Sequence, residues 1–348
     1  MSDTLTLSPD TTATSTHRPR LAFLGLGWIG RNRMEAVAAE DIAEIVAISD
    51  PSPEAMDEAA HVAPDATRCD GLDALLATKP DGVVIATPSA LHAEQTIAAL
   101  KAGAAVFCQK PLGRTEAEAR ACIDAARTAD LLLSADLSYR HAAAFLALRE
   151  AVEAGELGTV HALDLTFHNA YGPDKAWFRD RALSGGGCLI DLGAHLLDMA
   201  AWALGARDLR CTSAHLYAGG QRLTGDAVAT SVEDYAAATL ETPEGGVIRI
   251  ACSWNLPAGR DAVIGVDAYG AQGGFSVQNV NGSFYDFAAH RHHGTQSEER
   301  IAPPDAWGGR AAAHWARRLA EGERFEPACE SLAELAAAID AVYARAAN

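Results

Sequence analysis

The sequence predicts an α/β N-terminal Rossmann domain with a doubly wound parallel sheet, followed by an α+β C-terminal domain with a large, mainly antiparallel open sheet. Residues 20 to about 135 alternate short apolar runs with amphipathic helical segments, which is typical of a parallel sheet covered on both faces. From residue 160 onward, apolar and polar residues alternate, which indicates half-buried strands. The 348 residues also exceed the length over which one core usually grows, roughly 250 to 300 residues.

The first domain is predicted over residues 19–138, after a flexible tail at 1–18 that lacks the apolar core of a secretory signal. Its parallel strands are expected at 21–24, 45–48, 83–86, 105–108 and 131–134. Helices are expected at 89–102 and 115–129, the second opened by the capping box Thr115 to Glu118.

The second domain is predicted over residues 139–348. Its strands are expected at 160–168, 235–240, 247–254, 263–269 and 274–280, with helices at 141–155 and 332–347. Leu163, Leu165 and Phe167 should point into the core. The final helix should pack back on the body. One face of this sheet is not needed for the core, and we expect it to form a homodimer or homotetramer interface.

Composition restricts the partners and the compartment. The formal net charge of −18 disfavours nucleic acid and anionic lipid, because such a surface repels phosphate. No window of about 18 continuous apolar residues is present, so we expect no membrane span. The seven cysteines form no C-x-x-C pair and sit mainly in apolar runs, which predicts free thiols and a cytoplasmic location.

A glycine-rich turn follows the first predicted strand and opens a helix. It reads G-x-G-x-x-G, which is typical of a dinucleotide pyrophosphate site at a helix N-terminus. The predicted contacts from this turn are Gly25, Gly27, Trp28, Ile29 and Gly30. Asp50 lies 20 residues beyond Gly30, where an acid binds the adenosine ribose hydroxyls and repels a 2′-phosphate. NAD is therefore favoured and NADP stays possible. The alternatives are a plain glycine turn and a cap at Asp50.

The segment from Gly185 to Asp198 sets three glycines before an apolar helical run. Asp191 and His195 are four residues apart, so on an α-helix they share a face and can handle protons together. A metal site formed by Cys188, Asp191, His195 and Asp198 is the alternative. We expect no metal, because one helix rarely closes a tetrahedral site.

A second histidine group lies near the end of the predicted open sheet. His290, His292 and His293 occur within a Gly-, Arg- and Glu-rich sequence. That context predicts a solvated loop in preference to a set of metal ligands.

Three motifs together resemble the glucose-fructose oxidoreductase, inositol dehydrogenase and rhizopine-catabolism family. They are Thr87-Pro88 with His92, Gln109-Lys110-Pro111, and the Gly-Gly-x-Leu-x-Asp-x-Gly-x-His segment that ends at His195. The resemblance implies that Thr87, Pro88, His92 and Gln109 line the nucleotide cleft. It also implies that Lys110 stands between nicotinamide and substrate, and that Asp191 and His195 complete the site. Gln109 departs from the family, which usually has glutamate there.

The resemblance implies an NAD(P)-dependent oxidoreductase acting on a sugar, cyclitol or related polyol, at a secondary alcohol or lactol. His195 would serve as general base, Asp191 would orient its ring or stabilise its charged form, and Lys110 would stabilise the alkoxide. Gln109 removes a negative charge beside Lys110. Two alternatives stay open: a glycoside hydrolase that oxidises its substrate transiently through NAD, and a nucleotide-sensing regulator without catalysis.

Aromatic and basic residues suited to sugar recognition follow the last parallel strand and the strand at 160–168. The candidate substrate residues are Tyr139, Arg140, His168, Trp177 and Arg179. An interface loop is the alternative interpretation of the second group.

Overall fold

The computed structural model describes residues 18–348, so all but the last residue of the predicted 1–18 tail lies outside the described part. The first sheet has six parallel strands in the order β3-β2-β1-β4-β5-β6. They are β1 Arg20–Leu24, β2 Glu44–Ser49, β3 Thr67–Arg68, β4 Gly82–Ile85, β5 Ala105–Cys108 and β6 Leu133–Ala135. The doubly wound fold is confirmed. The strand β3 was missed because two exposed residues carry no apolar run.

Helices cover both faces of this sheet. They are α1 Trp28–Ala39, α2 Pro53–Val62, α3 Gly71–Ala77, α4 Ser89–Lys101 and α5 Glu116–Ala129. Thr115 caps α5 as predicted, since its hydroxyl accepts the Glu118 N–H at 3.2 Å.

The second sheet has nine strands in the order β15-β14-β13-β12-β7-β11-β10-β8-β9. They are β7 Val160–Asn169, β8 Arg210–Ala218, β9 Gln221–Leu223, β10 Tyr235–Glu241, β11 Val247–Ser253, β12 Ala262–Gly270, β13 Gly274–Asn279, β14 Phe287–His293 and β15 Gln296–Ile301. The pair β7 and β11 is parallel and the other pairs are antiparallel, which confirms a mainly antiparallel sheet.

The prediction of a histidine-rich loop was wrong. His290, His292 and His293 lie in β14, and His290 and His292 point to the face opposite the buried Phe287 and Ala289. The outward polar side chains hide the period-two pattern from a search for apolar runs. The His292 Nε2 lies 2.9 Å from the Ser276 hydroxyl on the neighbouring strand.

Helices pack on the inner face of the second sheet, where Leu163, Leu165 and Phe167 are buried as predicted. These helices include α6 Ala143–Glu153 and α8 Ala194–Leu204, while the short helices α7 Arg181–Ser184 and α9 Asp226–Thr230 pack on other helical segments. Irregular helical turns occur at Ser138–His141, Ala176–Arg179, Pro327–Glu330 and, as a π-helix, at Leu189–Gly193. The opposite sheet face carries no helix among residues 18–348.

The C-terminal segment returns to the first domain. It consists of α10 Arg310–Ala320 and α11 Ser331–Ala347. Trp315 of α10 closes over the first sheet, where a Cβ at Gly82 would lie 2.7 Å from its ring. The last helix packs on α5 of the first domain and on β8 of the second, so it packs back on the body as predicted. These contacts fasten the two domains to each other.

The structure bears on two expectations from composition, which concern the cysteines and the apolar helical segments. All seven cysteines are free, and six are buried. The stretch Arg181–Leu204 is the one helical segment in the described chain that is long and apolar enough to cross a membrane, with a mean hydropathy of 1.3. Of its 18-residue window, 72% is buried inside the protein, and a core helix passes the same test.

Candidate active site

The three glycines of the first turn have different surroundings. Gly25 has φ +87°, and a Cβ there would lie 2.5 Å from the Ala86 carbonyl oxygen. A Cβ at Gly30 would lie 2.0 Å from the Gly25 carbonyl oxygen, so close packing requires glycine at both positions. A Cβ at Gly27 would meet nothing within 4 Å. A bound group can therefore approach the backbone at Gly27, as a pyrophosphate must.

The helix α1 begins directly after this turn. Its N-cap, Gly27, provides no side-chain hydrogen bond, and no acidic residue occupies the first turn. The N–H groups at the start of a helix have no intrahelical partner and carry partial positive charge. Trp28 is 59% exposed beside them, and Ile29 is half-buried. This end of the helix is suited to receive an anion.

Asp50 holds the glycine turn in place. One carboxylate oxygen accepts the Leu26 N–H at 2.6 Å, and the other accepts the Ser52 N–H at 2.8 Å. Each carboxylate oxygen has a further lone pair that can accept a ribose hydroxyl. Ser52, and not Asp50, is the N-cap of α2, so Asp50 is a turn residue, and that alternative is compatible with the cofactor prediction in one geometry.

His92 joins the two loops that border the cleft. Its Nδ1 lies 2.6 Å from the Pro111 carbonyl oxygen, and its Nε2 lies 2.7 Å from the Thr87 carbonyl oxygen. The side chain is buried, and burial lowers the pKa of His92. The ring therefore lies beneath Thr87 and Pro88 and supports them from behind.

Lys110 and Asp191 meet at the seam between the domains. The Lys110 Nζ donates to an Asp191 carboxylate oxygen at 2.6 Å and to the Asp191 carbonyl oxygen at 2.8 Å. The other carboxylate oxygen accepts the Trp254 Nε1–H at 3.0 Å. The Lys110 and Asp191 side chains are 18% and 16% exposed, so they are sheltered but within reach of solvent.

The glycine run before Asp191 is fixed by a buried glutamate. Glu233 accepts the Gly187 N–H at 2.9 Å and the Leu189 N–H at 3.0 Å, and it accepts the Tyr343 hydroxyl at 2.8 Å. Burial raises the pKa of Glu233. A Cβ at Gly187 would lie 1.9 Å from the Glu233 carbonyl oxygen. The backbone therefore approaches Glu233 more closely than any side chain allows, and the π-helical turn with Asp191 starts from there.

His195 occupies a different environment from Asp191. Its ring centroid lies 4.9 Å from that of Tyr139 and 6.3 Å from that of Phe167. Burial lowers the pKa of His195 well below its ordinary value, and the charges of Lys110 and Arg33 lower it further. The imidazole is therefore neutral at pH 7.

The expectation that Asp191 orients the His195 ring was wrong. Within residues 18–348, the Asp191 carboxylate bonds to Lys110 and Trp254, and it forms no hydrogen bond with His195. These two partners occupy the Asp191 carboxylate, and the His195 ring packs against Tyr139 and Phe167 instead.

Gln109 bonds to an acid that the sequence did not single out. Its side-chain N–H donates to Asp136, and its side-chain oxygen accepts the Lys110 N–H at 3.2 Å. Asp136 also accepts from the Arg33 Nε at 2.6 Å. Its position in the sequence could have identified Asp136 as a candidate site residue. Asp136 directly follows the last parallel strand, and polar residues at the ends of parallel strands converge at one edge of the sheet.

The predicted substrate residues near 140 have structural partners. Tyr139 is buried in an aromatic cluster and lies edge-on to Phe145, Phe167 and Phe287. The Arg140 Nε donates to both carboxylate oxygens of Asp198, at 3.1 and 3.0 Å. Tyr139 therefore packs against the His195 ring, whereas Arg140 forms an ion pair with Asp198.

The other predicted substrate residues divide between two places. His168 lies on the open sheet face, where its Nδ1 is 2.9 Å from the Ser253 hydroxyl. Trp177 stacks on Phe178 at 3.8 Å, and Phe178 lies edge-on to Trp254. The turn that carries Trp177 and the exposed Arg179 is therefore next to the Asp191 partner, Trp254. His168 is on the opposite side of the sheet from Phe167.

The alternative metal set does not assemble in the described chain. No group of three or more His, Cys, Asp or Glu side chains that could hold a metal ion occurs in residues 18–348. Asp198 pairs with Arg140, and the Cys188 thiol donates to the Cys252 carbonyl oxygen at 3.5 Å.

Two family models match consecutive parts of the chain. Residues 20–137 match the oxidoreductase family with the NAD-binding Rossmann fold. Residues 145–276 match the GFO/IDH/MocA C-terminal domain.

Individual proteins match over longer spans. The D-glucoside 3-dehydrogenase of Escherichia coli is 34% identical over 211 residues, which are 58% of this chain and 60% of that protein. The D-apiose dehydrogenase of Paraburkholderia graminis is 30% identical over 307 residues, 85% of this chain and 76% of that protein. The matched region thus covers less than two thirds of the E. coli protein and more than two thirds of the Paraburkholderia protein.

A solved structure has the same fold over nearly the whole length. It is KijD10, a 3-ketoreductase from Actinomadura kijaniata in complex with NADP and TDP-benzene. The TM-score is 0.80 at 22% identity, covering 94% of this chain and 97% of that one. The likeness extends across both domains.

Proposed function

Because the chain belongs to the Gfo/Idh/MocA family of oxidoreductases, we propose that it transfers hydride between a nicotinamide cofactor and a hydroxyl-bearing carbon of a sugar, cyclitol or related polyol. The observation that carries this proposal is the Lys110 to Asp191 ion pair, placed where the glycine-turn domain meets the second sheet. A sheltered ammonium group with a partner on the opposite domain is suited to bind a substrate oxygen whose charge changes during reaction.

The cofactor would bind along the first sheet. The open approach at Gly27 and the free N–H groups of α1 fit a pyrophosphate, and Asp50 fits the ribose hydroxyls. The Asp50 carboxylate favours NAD over NADP because it repels a 2′-phosphate, and both cofactors are to be tested. The bound nicotinamide supplies the hydride acceptor, and the remaining chemistry belongs to the chain.

Three side chains divide the proton and charge handling. Lys110 donates a hydrogen bond to the substrate oxygen and stabilises negative charge on it. Asp191 holds the ammonium in place from the second domain. His195, which is neutral at pH 7, takes the hydroxyl proton as general base. In this scheme Asp191 positions the Lys110 ammonium group, and the aromatic rings around His195 keep its imidazole neutral.

The substrate class follows from the relatives. The E. coli relative acts on D-glucosides at position 3, and the Paraburkholderia relative acts on D-apiose, according to their names. A secondary hydroxyl of a pyranoside is therefore the first substrate to test. Self-association through the open face of the second sheet and a cytoplasmic location complete the proposal.

The test is a screen of glucosides, free sugars and inositols with NAD and NADP, following absorbance of the reduced cofactor. We expect Lys110→Ala to lower turnover by about 10²- to 10³-fold, because the donor to the reacting oxygen is lost. NADH binding should stay within about threefold, as one contact to a large ligand is lost.

Lys101→Ala provides the matched control, since Lys101 is exposed at the end of α4. Wild-type turnover in Lys110→Ala contradicts the assignment. Release of sugar from a glycoside without net NADH indicates the hydrolase instead. Cofactor binding with no turnover on any substrate indicates the regulator.

A further inference from the structure

A buried polar cluster lies directly behind Lys110. The Asp136 side chain is fully buried, and the Arg33 side chain is 7% exposed. Arg33 donates to Asp136 at 2.6 Å and to the Ser138 hydroxyl at 3.0 Å, and the Ser138 hydroxyl and the Gln109 amide also donate to Asp136. One carboxylate thus accepts from three side chains. A buried charge requires such partners.

The cluster connects the cofactor helix to the reacting lysine. Arg33 lies on α1, which begins at the glycine turn. Gln109 donates to Asp136 with one end of its amide and accepts the Lys110 N–H with the other. The chain of contacts from Arg33 through Asp136 and Gln109 therefore ends on the Lys110 backbone.

The cluster also explains why position 109 is a glutamine in this chain. A glutamate there would place a second carboxylate against Asp136 in a buried site. Two carboxylates that share a site cannot both ionise without strong repulsion. The Gln109 amide supplies a donor to Asp136 and still accepts the Lys110 N–H. The unit formed by positions 109 and 136 thus holds one acid, at position 136, and one amide, at position 109.

We propose that Asp136 is a positioning residue for Lys110, and that positions 109 and 136 form one unit in which acid and amide are interchangeable. This inference rests on the proposed function. The unit holds one carboxylate, one amide and the Arg33 cation. Exchanging acid and amide preserves that charge and the number of donors, whereas changing one position alone does not.

Four variants test the proposal: Gln109→Glu, Asp136→Asn, the double variant, and Gln109→Met as the matched control. Gln109→Glu adds a buried charge, and Asp136→Asn leaves Arg33 without its counterion. We expect each to lower kcat by about tenfold or more, with KM for the sugar changed by less than about threefold. The double variant should return kcat to within about threefold of wild type.

Gln109→Met removes the amide without adding charge, so a fifth variant that combines it with Asp136→Asn should not recover kcat. Loss of melting temperature in Gln109→Glu with unchanged kcat overturns the positioning role and leaves a structural one. A double variant no better than the worse single variant overturns the exchange. If wild type shows no turnover, the proposed function fails. The melting temperatures of the four variants still report whether positions 109 and 136 are coupled.

Discussion

Asp191 and His195 are four residues apart in sequence, yet the protein places them in opposite surroundings. Asp191 lies among polar groups at the seam between the domains, with its carboxylate bound by Lys110 and Trp254. His195 lies against the rings of Tyr139 and Phe167 and has a pKa well below the ordinary one. A charged partner for a lysine needs hydrogen-bond donors, whereas a base that must stay neutral benefits from an apolar wall.

The two side chains lie on different helical segments. His195 lies in α8, whereas Asp191 lies in the π-helical turn Leu189–Gly193, which is held at its start by Glu233. Turns of this kind are frequent at functional sites. In the proposed mechanism, proton handling and charge stabilisation therefore belong to two places that can be altered separately, which the following variants test.

The largest effect is expected on the Asp191 side, from Gly187→Ala. A Cβ there would lie 1.9 Å from the Glu233 carbonyl oxygen, so the backbone must move and carry the π-helical turn with it. We expect a loss of about 3 kcal/mol of unfolding free energy and loss of turnover, measured by urea unfolding and steady-state kinetics.

Gly308→Ala is the control for Gly187→Ala. A Cβ at Gly308 meets only the Asn32 side chain, at 3.9 Å, so stability and turnover should both be retained. A Gly187→Ala protein as stable and active as wild type would show that the close approach to Glu233 does not position Asp191.

An intermediate effect is expected on the His195 side, and it concerns pH. A general base works when deprotonated, and the pKa of His195 is lowered by burial. The acid limb of kcat/KM for oxidation should therefore lie below the ordinary imidazole pKa of about 6.5. The measurement is a pH profile of kcat/KM.

Tyr139→Ala should move that acid limb to higher pH, because water replaces the aromatic ring beside His195. Tyr139→Phe keeps the ring and should leave the limb in place. An acid limb above the ordinary value in wild type, or one that Tyr139→Ala does not move, would contradict the role of burial.

The smallest effect on catalysis is expected outside both regions, on the open face of the second sheet. Ala251 pairs with Thr166 and Ala237 there, and all three are half-buried. Ala251→Arg should shift the protein toward the monomer in light scattering, because a long charged side chain replaces a small one. Turnover per chain should change by less than about threefold, since the face is opposite to the site. An unchanged mass would remove this face as the interface.

Much of the fold could be predicted from the sequence, because local patterns of apolar and polar residues depend directly on burial. The predicted runs that correspond to β1, β2, β4 and β5 are apolar throughout, and the run at β6 is apolar except for Ser134, as expected of strands covered on both faces. The alternation at Leu163 to Phe167 correctly predicted which face of β7 is buried. The polar strand β15 was missed because its residues are almost all exposed and carry no hydrophobic period.

The candidate site was only partly readable. Lys110, Asp191 and His195 were identified by motif, and their roles stay predictions. The partners of these residues were not identified, since Trp254, Asp136 and Glu233 are distant in sequence and belong to no motif. Long-range contacts leave no local pattern to find.

The sequence by itself determined the two-domain class, the glycine turn and the family motifs, because these depend on local periodicity and spacing. Only the tertiary structure decided which charges neutralise each other. It paired Lys110 with Asp191 across the domains and Arg33 with Asp136 within the first domain. The physical reason is that electrostatic energy depends on distance and burial in space, and neither quantity is set by separation along the chain.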